Sequence, residues 1–88
     1  MRRVIKVEGF ANGAKCPIVG QYLKSFDFDA HGGQGDGVFT FDKAEAMTFE
    51  STMQAWDFWR TQSKVRPLRP DGKPNRPFTA SSVTIEPV

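Results

Sequence analysis

Ser51-Thr52-Met53-Gln54-Ala55-Trp56-Asp57-Phe58-Trp59 is the stretch whose reading sets the fold class. A serine followed three residues later by glutamine forms a capping box: the hydroxyl accepts from the Gln54 amide and the glutamine side chain reaches back. Ala55, Phe58, Trp59 and Gln62 then fall at i, i+3, i+4 and i+7, so an apolar stripe centred on Ala55 and Trp59 faces inward, flanked by Trp56. Pro67 disfavours helical geometry at Arg66, which predicts a helix end near Lys64. Such a helix must bury its stripe against another layer, and the rest of the chain reads as short strands.

Working outward, Ile5 and Val7 alternate with Lys6 and Glu8, the period of a half-buried first strand. Asn12-Gly13 opens a loop that runs through Pro17, and residues 18–26 read as a second strand. Val38-Phe39-Thr40-Phe41 is short, β-branched and aromatic, and reads as a third. Asp42 with Glu45 three residues on predicts one helical turn through Met47. Val83 and Ile85 alternate with polar neighbours in a last strand over residues 82–86. The order is that of an α+β fold: a small, mostly antiparallel sheet of three to four strands with one main helix packed on one face.

Two connections interrupt this plan. Residues 27–37 hold four glycines, three aspartates and His31, and read as a flexible loop. Residues 64–79 form a basic, proline-rich loop, expected to be extended and polyproline-like with a turn at Asp71-Gly72. With 88 residues, of which 39% are hydrophobic, the chain fits one small domain, residues 1–88. Phe26, Phe28, Phe39, Phe41, Phe49, Phe58 and both tryptophans cluster near its middle, so that stretch is expected to supply much of the core.

A formal net charge of +2 conceals a split. Residues 60–76 carry Arg60, Lys64, Arg66, Arg69, Lys73 and Arg76 against the single acid Asp71. Residues 25–57 carry Asp27, Asp29, Asp36, Asp42, Glu45, Glu50 and Asp57 against Lys43 alone. Clustered charge of one sign steers a charged partner to a chosen face, and these two stretches are expected to form opposed surfaces. The six cations of residues 60–76, with Trp56 as an aromatic anchor if it is exposed, are therefore the candidate partner-binding residues.

Chemistry beyond binding finds little footing. Asp27, Asp29 and Gly32 match the first, third and sixth positions of a calcium loop, but Val38 stands where a bidentate glutamate is required. One cysteine, Cys16, and one histidine, His31, do not complete a tetrahedral metal set, and nothing in the spacing fixes them as nucleophile and base. The expectation is a protein that is not an enzyme, with no cofactor and no metal. Pro67-Leu68-Arg69-Pro70 and Pro74-Asn75-Arg76-Pro77 satisfy P-x-x-P spacing without the flanks that orient an SH3 ligand, and read as stiffeners. A lone thiol, no signal-peptide pattern and no long apolar run point to the cytoplasm and away from the membrane.

Gln21-Tyr22-Leu23, Phe39-Thr40, Lys43-Ala44, Phe49 and Ala55 together resemble small uncharacterised proteins encoded in bacteriophage and prophage regions. The run Arg69-Pro70-Asp71-Gly72-Lys73-Pro74-Asn75-Arg76-Pro77 looks like a segment of a narrower subset. The resemblance implies a strand-strand-helix-strand protein from a mobile element, a setting in which many chains bind and block host machinery, with anti-CRISPR inhibitors of counter-defence among them. The leading expectation is a non-enzymatic binding module acting on a host protein or nucleoprotein in the bacterial cytoplasm. Two alternatives stand beside it: a small nucleic-acid-binding protein using the same basic loop, and a minor structural protein of a phage particle. Oligomeric state is left open.

Overall fold

A computed structural model describes residues 1–88. Strand β1 (Arg3–Phe10) runs through the middle of a four-stranded sheet of order β3-β2-β1-β4, with β2 at Tyr22–Asp27, β3 at Asp36–Thr40 and β4 at Ser81–Pro87. Every pairing is antiparallel. The last strand lies beside the first along its whole length, from Arg3 opposite Pro87 to Phe10 opposite Ser81. By contrast β1 and β2 share only a short ladder about Lys6 and Tyr22, because the chain from Pro17 to Gly20 turns instead of continuing the second strand. The expected strand over residues 18–26 therefore begins four residues late, after Gly20 at φ +84°.

The core face follows from the pleat, with one irregularity. Ile5 and Leu23 are fully buried beside Phe49, Ala55 and Phe78. Between β2 and β3 the register slips at Lys24, the extra residue of a bulge. That slip places Leu23 and Phe26, three residues apart, on the same side of the sheet, where strict alternation separates them. Val4 is also fully buried, on the face that alternation assigns to Lys6.

Helix α1 is a kinked turn at Ala30–Gly33, and helix α2 spans Thr52–Trp59 over the sheet. The Ser51 hydroxyl accepts from the Gln54 amide at 3.1 Å, as its sequence requires, while the Gln54 side chain reaches one residue further back, to the N–H of Glu50 at 2.6 Å. Ala55 is fully buried, and Phe58 and Trp59 pack on the core. Aromatic rings join these elements: Phe26 stacks on Phe78 at 4.7 Å, Phe28 bridges Phe26 and Phe58, and Phe58 meets Phe49 at 5.2 Å. Such ring pairs add about 0.5–1.5 kcal/mol each beyond the area they bury.

Three expectations need correcting here. The helix ends at Trp59, five residues before Lys64, so Gln62 is not part of its stripe. Residues 43–45 form a 3-10 turn capped by Asp42, shorter than the turn through Met47. Phe41 stands 74% exposed, whereas Phe78, outside the aromatic middle, is the largest fully buried side chain. It is delivered by a 3-10 turn at Pro77–Ala80 that the sequence pattern does not announce. No helix is long and apolar enough to cross a membrane.

Candidate partner-binding site

Beyond α2 the chain reverses at once. The Thr61 hydroxyl donates to the Asp57 carbonyl at 3.1 Å, and Ser63, 1% exposed, turns inward. There it meets Asp29, 34 residues upstream: one carboxylate oxygen, Oδ1, accepts from the Ser63 hydroxyl at 2.9 Å, the Lys64 N–H at 2.7 Å and the Val65 N–H at 3.2 Å. These amides are the ones a continuing helix would direct at its own preceding carbonyls. The ladder of α2 has already ended upstream, where the Thr61 N–H turns to the Phe58 carbonyl and the Ser63 N–H to the Asn75 carbonyl; Asp29 takes the next two amides and keeps the helix from resuming. The N–H of Lys64, then that of Val65 and the Ser63 hydroxyl, hold the Asp29 carboxyl below the ordinary carboxylate range, against a smaller opposing effect of desolvation.

From Ser63 the chain builds a tongue over residues 66–76. Leu68 lies opposite Pro74; the Asn75 N–H bonds the Pro67 carbonyl at 2.9 Å and the Arg69 N–H bonds the Lys73 carbonyl at 2.8 Å. Asp71-Gly72 closes the tip, with Gly72 at φ +82° and the Asp71 carboxylate accepting from the Lys73 N–H. The expected extended excursion is thus a closed hairpin-like element, and the turn at Asp71-Gly72 is where the sequence put it.

The glycine-rich segment is its foundation. The Asn75 carboxamide donates to the Gly33 carbonyl at 2.7 Å and to the Arg66 carbonyl at 2.9 Å. Gly33, buried at φ +96°, lies so close that a Cβ there would stand 2.5 Å from Cβ of Arg66. A side chain at Gly35 would likewise strike Pro77 and Phe26. The segment expected to be a flexible loop therefore folds as α1 and fills the space between sheet and tongue. The acidic and basic stretches are not opposed surfaces, because Asp29 bonds directly to the start of the tongue.

All six candidate cations are exposed, but they fall into groups. Arg60 is committed to Asp57 at 2.6 Å on the last turn of α2 and also contacts the Met53 sulfur. Arg69 pairs with Asp71 at 3.4 Å. Lys64, Arg66, Lys73 and Arg76 have no acidic partner. Two adjoining clefts, of about 180 and about 360 Å³, share Gln34, Arg69 and Asn75; the first adds Arg66 and the second Arg76. The structure thus brings three of the six candidates, Arg66, Arg69 and Arg76, to one furrow between tongue and α1, while Arg60, Lys64 and Lys73 line neither cleft.

Trp56 lines neither cleft; it is half-buried, edge-on to Trp59 at 5.4 Å. Trp59 is fixed by its indole N–H, which donates to the Ser81 carbonyl at 3.0 Å. Asp29, Ser63, Gln34 and Asn75 are not among the site residues the sequence offers: there Asp29 stands only in the acidic stretch and at the third position of the calcium-like run. A third cleft, about 380 Å³, lies between Met47-Thr48-Phe49 and α2, floored by Met47, Phe49 and Phe58. Nowhere do three or more His, Cys, Asp or Glu side chains come together in a way that could hold a metal ion. Of the two aspartates in the calcium-like run, Asp29 is engaged as described and Asp27 accepts from the Asp29 N–H. No protein-family model, curated protein or solved structure matches the chain.

Proposed function

We propose that this protein is a non-enzymatic binding module that seats its tongue on the surface of a protein partner. The observation that carries the reading is the mixture of groups on and at the base of a braced element: Val65, just before the tongue, and Leu68 on it are 63% and 54% exposed, among the unpaired cations Arg66, Lys73 and Arg76. Apolar and guanidinium groups side by side are what a protein interface uses as energetic anchors. A phosphate backbone gains nothing from exposed valine and leucine, and the site offers no exposed aromatic ring for base stacking. The likeness to phage and prophage proteins supports a host protein or nucleoprotein as the partner, with inhibition of a host defence as the sharpest form of the role.

Two measurements test this. Anisotropy titrations of labelled single-stranded DNA, duplex DNA and RNA are expected to show binding that fades by near-physiological salt. Affinity capture from bacterial lysate is expected to retain a discrete protein on the wild type and to lose it on Leu68→Asp. Nucleic-acid binding that survives physiological salt and vanishes in an Arg66→Ala/Arg69→Ala/Arg76→Ala variant would replace this reading with the nucleic-acid one. Capture undiminished by Leu68→Asp would remove the tongue from the interface.

A further inference from the structure

Resting on the reading of the tongue as a partner-binding surface, we propose that the furrow between tongue and α1 is a receptor for the carboxylates of an acidic peptide segment on the partner. Arg66, Arg69 and Arg76 line its two adjoining clefts together with Gln34 and with Asn75, whose carboxamide N–H groups are already given to the Gly33 and Arg66 carbonyls. Against three guanidiniums the only carboxylate in an ion pair is that of Asp71, 3.4 Å from Arg69 and itself 45% exposed. Each guanidinium presents a planar fork of N–H donors that matches a carboxylate in two parallel bonds. The chain's own Asp71 meets one of the three in a single contact at 3.4 Å, short of the paired fork and on the surface where a second acid can compete.

The backbones that carry these arginines are fixed before any ligand arrives. The Arg66 N–H bonds the Ser63 hydroxyl and the Arg66 carbonyl accepts from Asn75. Arg69 donates to Lys73 and accepts from Gly72, and the Arg76 carbonyl accepts from both the N–H and the hydroxyl of Thr79. Binding therefore orders side chains only, and the entropic penalty is correspondingly small. At about 180 and about 360 Å³, each of the two clefts has room for an acidic side chain. A continuous polyanion would in addition meet the carboxylate of Asp71 beside Arg69 on the tongue, which repels it. A peptide can place its carboxylates singly and lay an apolar residue on Leu68.

The test is an anisotropy titration of a short fluorescein-labelled peptide rich in glutamate and leucine, with three comparison probes. These are the same peptide with glutamine for glutamate, a phosphoserine peptide of equal length, and a single-stranded DNA of equal length. The proteins are the wild type, Arg66→Ala/Arg76→Ala, and the charge-matched Lys15→Ala/Lys24→Ala, with thermal melting to verify folding. The glutamate peptide is expected to bind most tightly, to lose about tenfold in affinity with the arginine variant, and to change by less than about threefold with the lysine variant, since a directional charge-assisted contact is worth more than general attraction. Equal losses in the two variants, equal binding of the glutamine peptide, or tighter binding of the phosphopeptide or DNA at near-physiological salt would each overturn the assignment. Failure here with capture still sensitive to Leu68→Asp removes the carboxylate receptor and keeps the protein-binding module; loss of that sensitivity removes the module itself.

Discussion

Asp29 is the residue on which the geometry of the tongue turns. One of its oxygens takes three donors from Ser63, Lys64 and Val65, and the Ser63 hydroxyl passes the constraint on by accepting from the Arg66 N–H. These bonds favour the ionised carboxylate, so its folded pKa lies below the unfolded value of about 3.9. A carboxylate shifted downward contributes stability that is fully present above the unfolded pKa and is lost as pH falls through the folded one. Asp29→Asn should therefore melt below the wild type from neutrality down to about pH 4, and the gap should close on further acidification. Thermal melts of both proteins from about pH 6 to about pH 2 check this; a constant gap would mean that Asp29 acts by shape and not by charge. No local pattern exposes this role. An aspartate among glycines reads as a turn residue, and its donors lie 34 to 36 positions away.

At the scale of the element, α2 shows which half of a helix is written in its own sequence. Its start is local: Ser51 and Gln54 satisfy free N–H groups within four residues, and the reading of the capping box was right about the N-terminus. Its end is not written in the proline, because the ladder breaks at the Thr61 N–H, which turns to the Phe58 carbonyl, and the following amides of Ser63, Lys64 and Val65 go to Asn75 and Asp29; a proline rule alone places the stop five residues late. The same distinction runs through the other elements. β1 and β4 were legible from alternation, whereas the docking of the glycine-rich segment depends on the close approach of Gly33 to Arg66. The burial of Phe78 depends on a turn after Pro77. The candidate site divides likewise: its arginines were legible as a charge cluster, but the selection of three of them by a furrow needs the tongue to be folded. An eight-residue helix is shorter than the roughly 12–15 residues at which isolated helices become even marginal, so its cap matters. Ser51→Ala should cost about 1 kcal/mol, read as a lower urea midpoint at unchanged slope. A neutral result would mean that packing of Ala55, Phe58 and Trp59 holds the helix start without its cap.

For the whole molecule the decisive arrangement is the return of the C-terminal segment to the first strand. β4 pairs along all of β1, and the 3-10 turn just before it drives Phe78 into the ring cluster of Phe26 and Phe39. The tongue leaves from α2 and re-enters the core at Phe78, so the core clamps both of its ends while its surface stays free of the core's demands. With only 11 of 88 residues buried, one large side chain is a sizeable share of what stabilises the fold. Phe78→Ala should cost about 3–5 kcal/mol, against a total of about 5–15 kcal/mol for an ordinary domain. Arg66→Ala/Arg69→Ala/Arg76→Ala should stay within about 1 kcal/mol of the wild type: two of these side chains have no acidic partner and the third has only an exposed pair. Urea unfolding of both variants reads the contrast directly. A loss of several kcal/mol in the arginine variant would make the cations part of the framework and deprive them of a role reserved for a partner. A near-wild-type midpoint beside a collapsed Phe78→Ala would leave the three guanidiniums with no task inside the molecule, which is what a surface kept for binding requires.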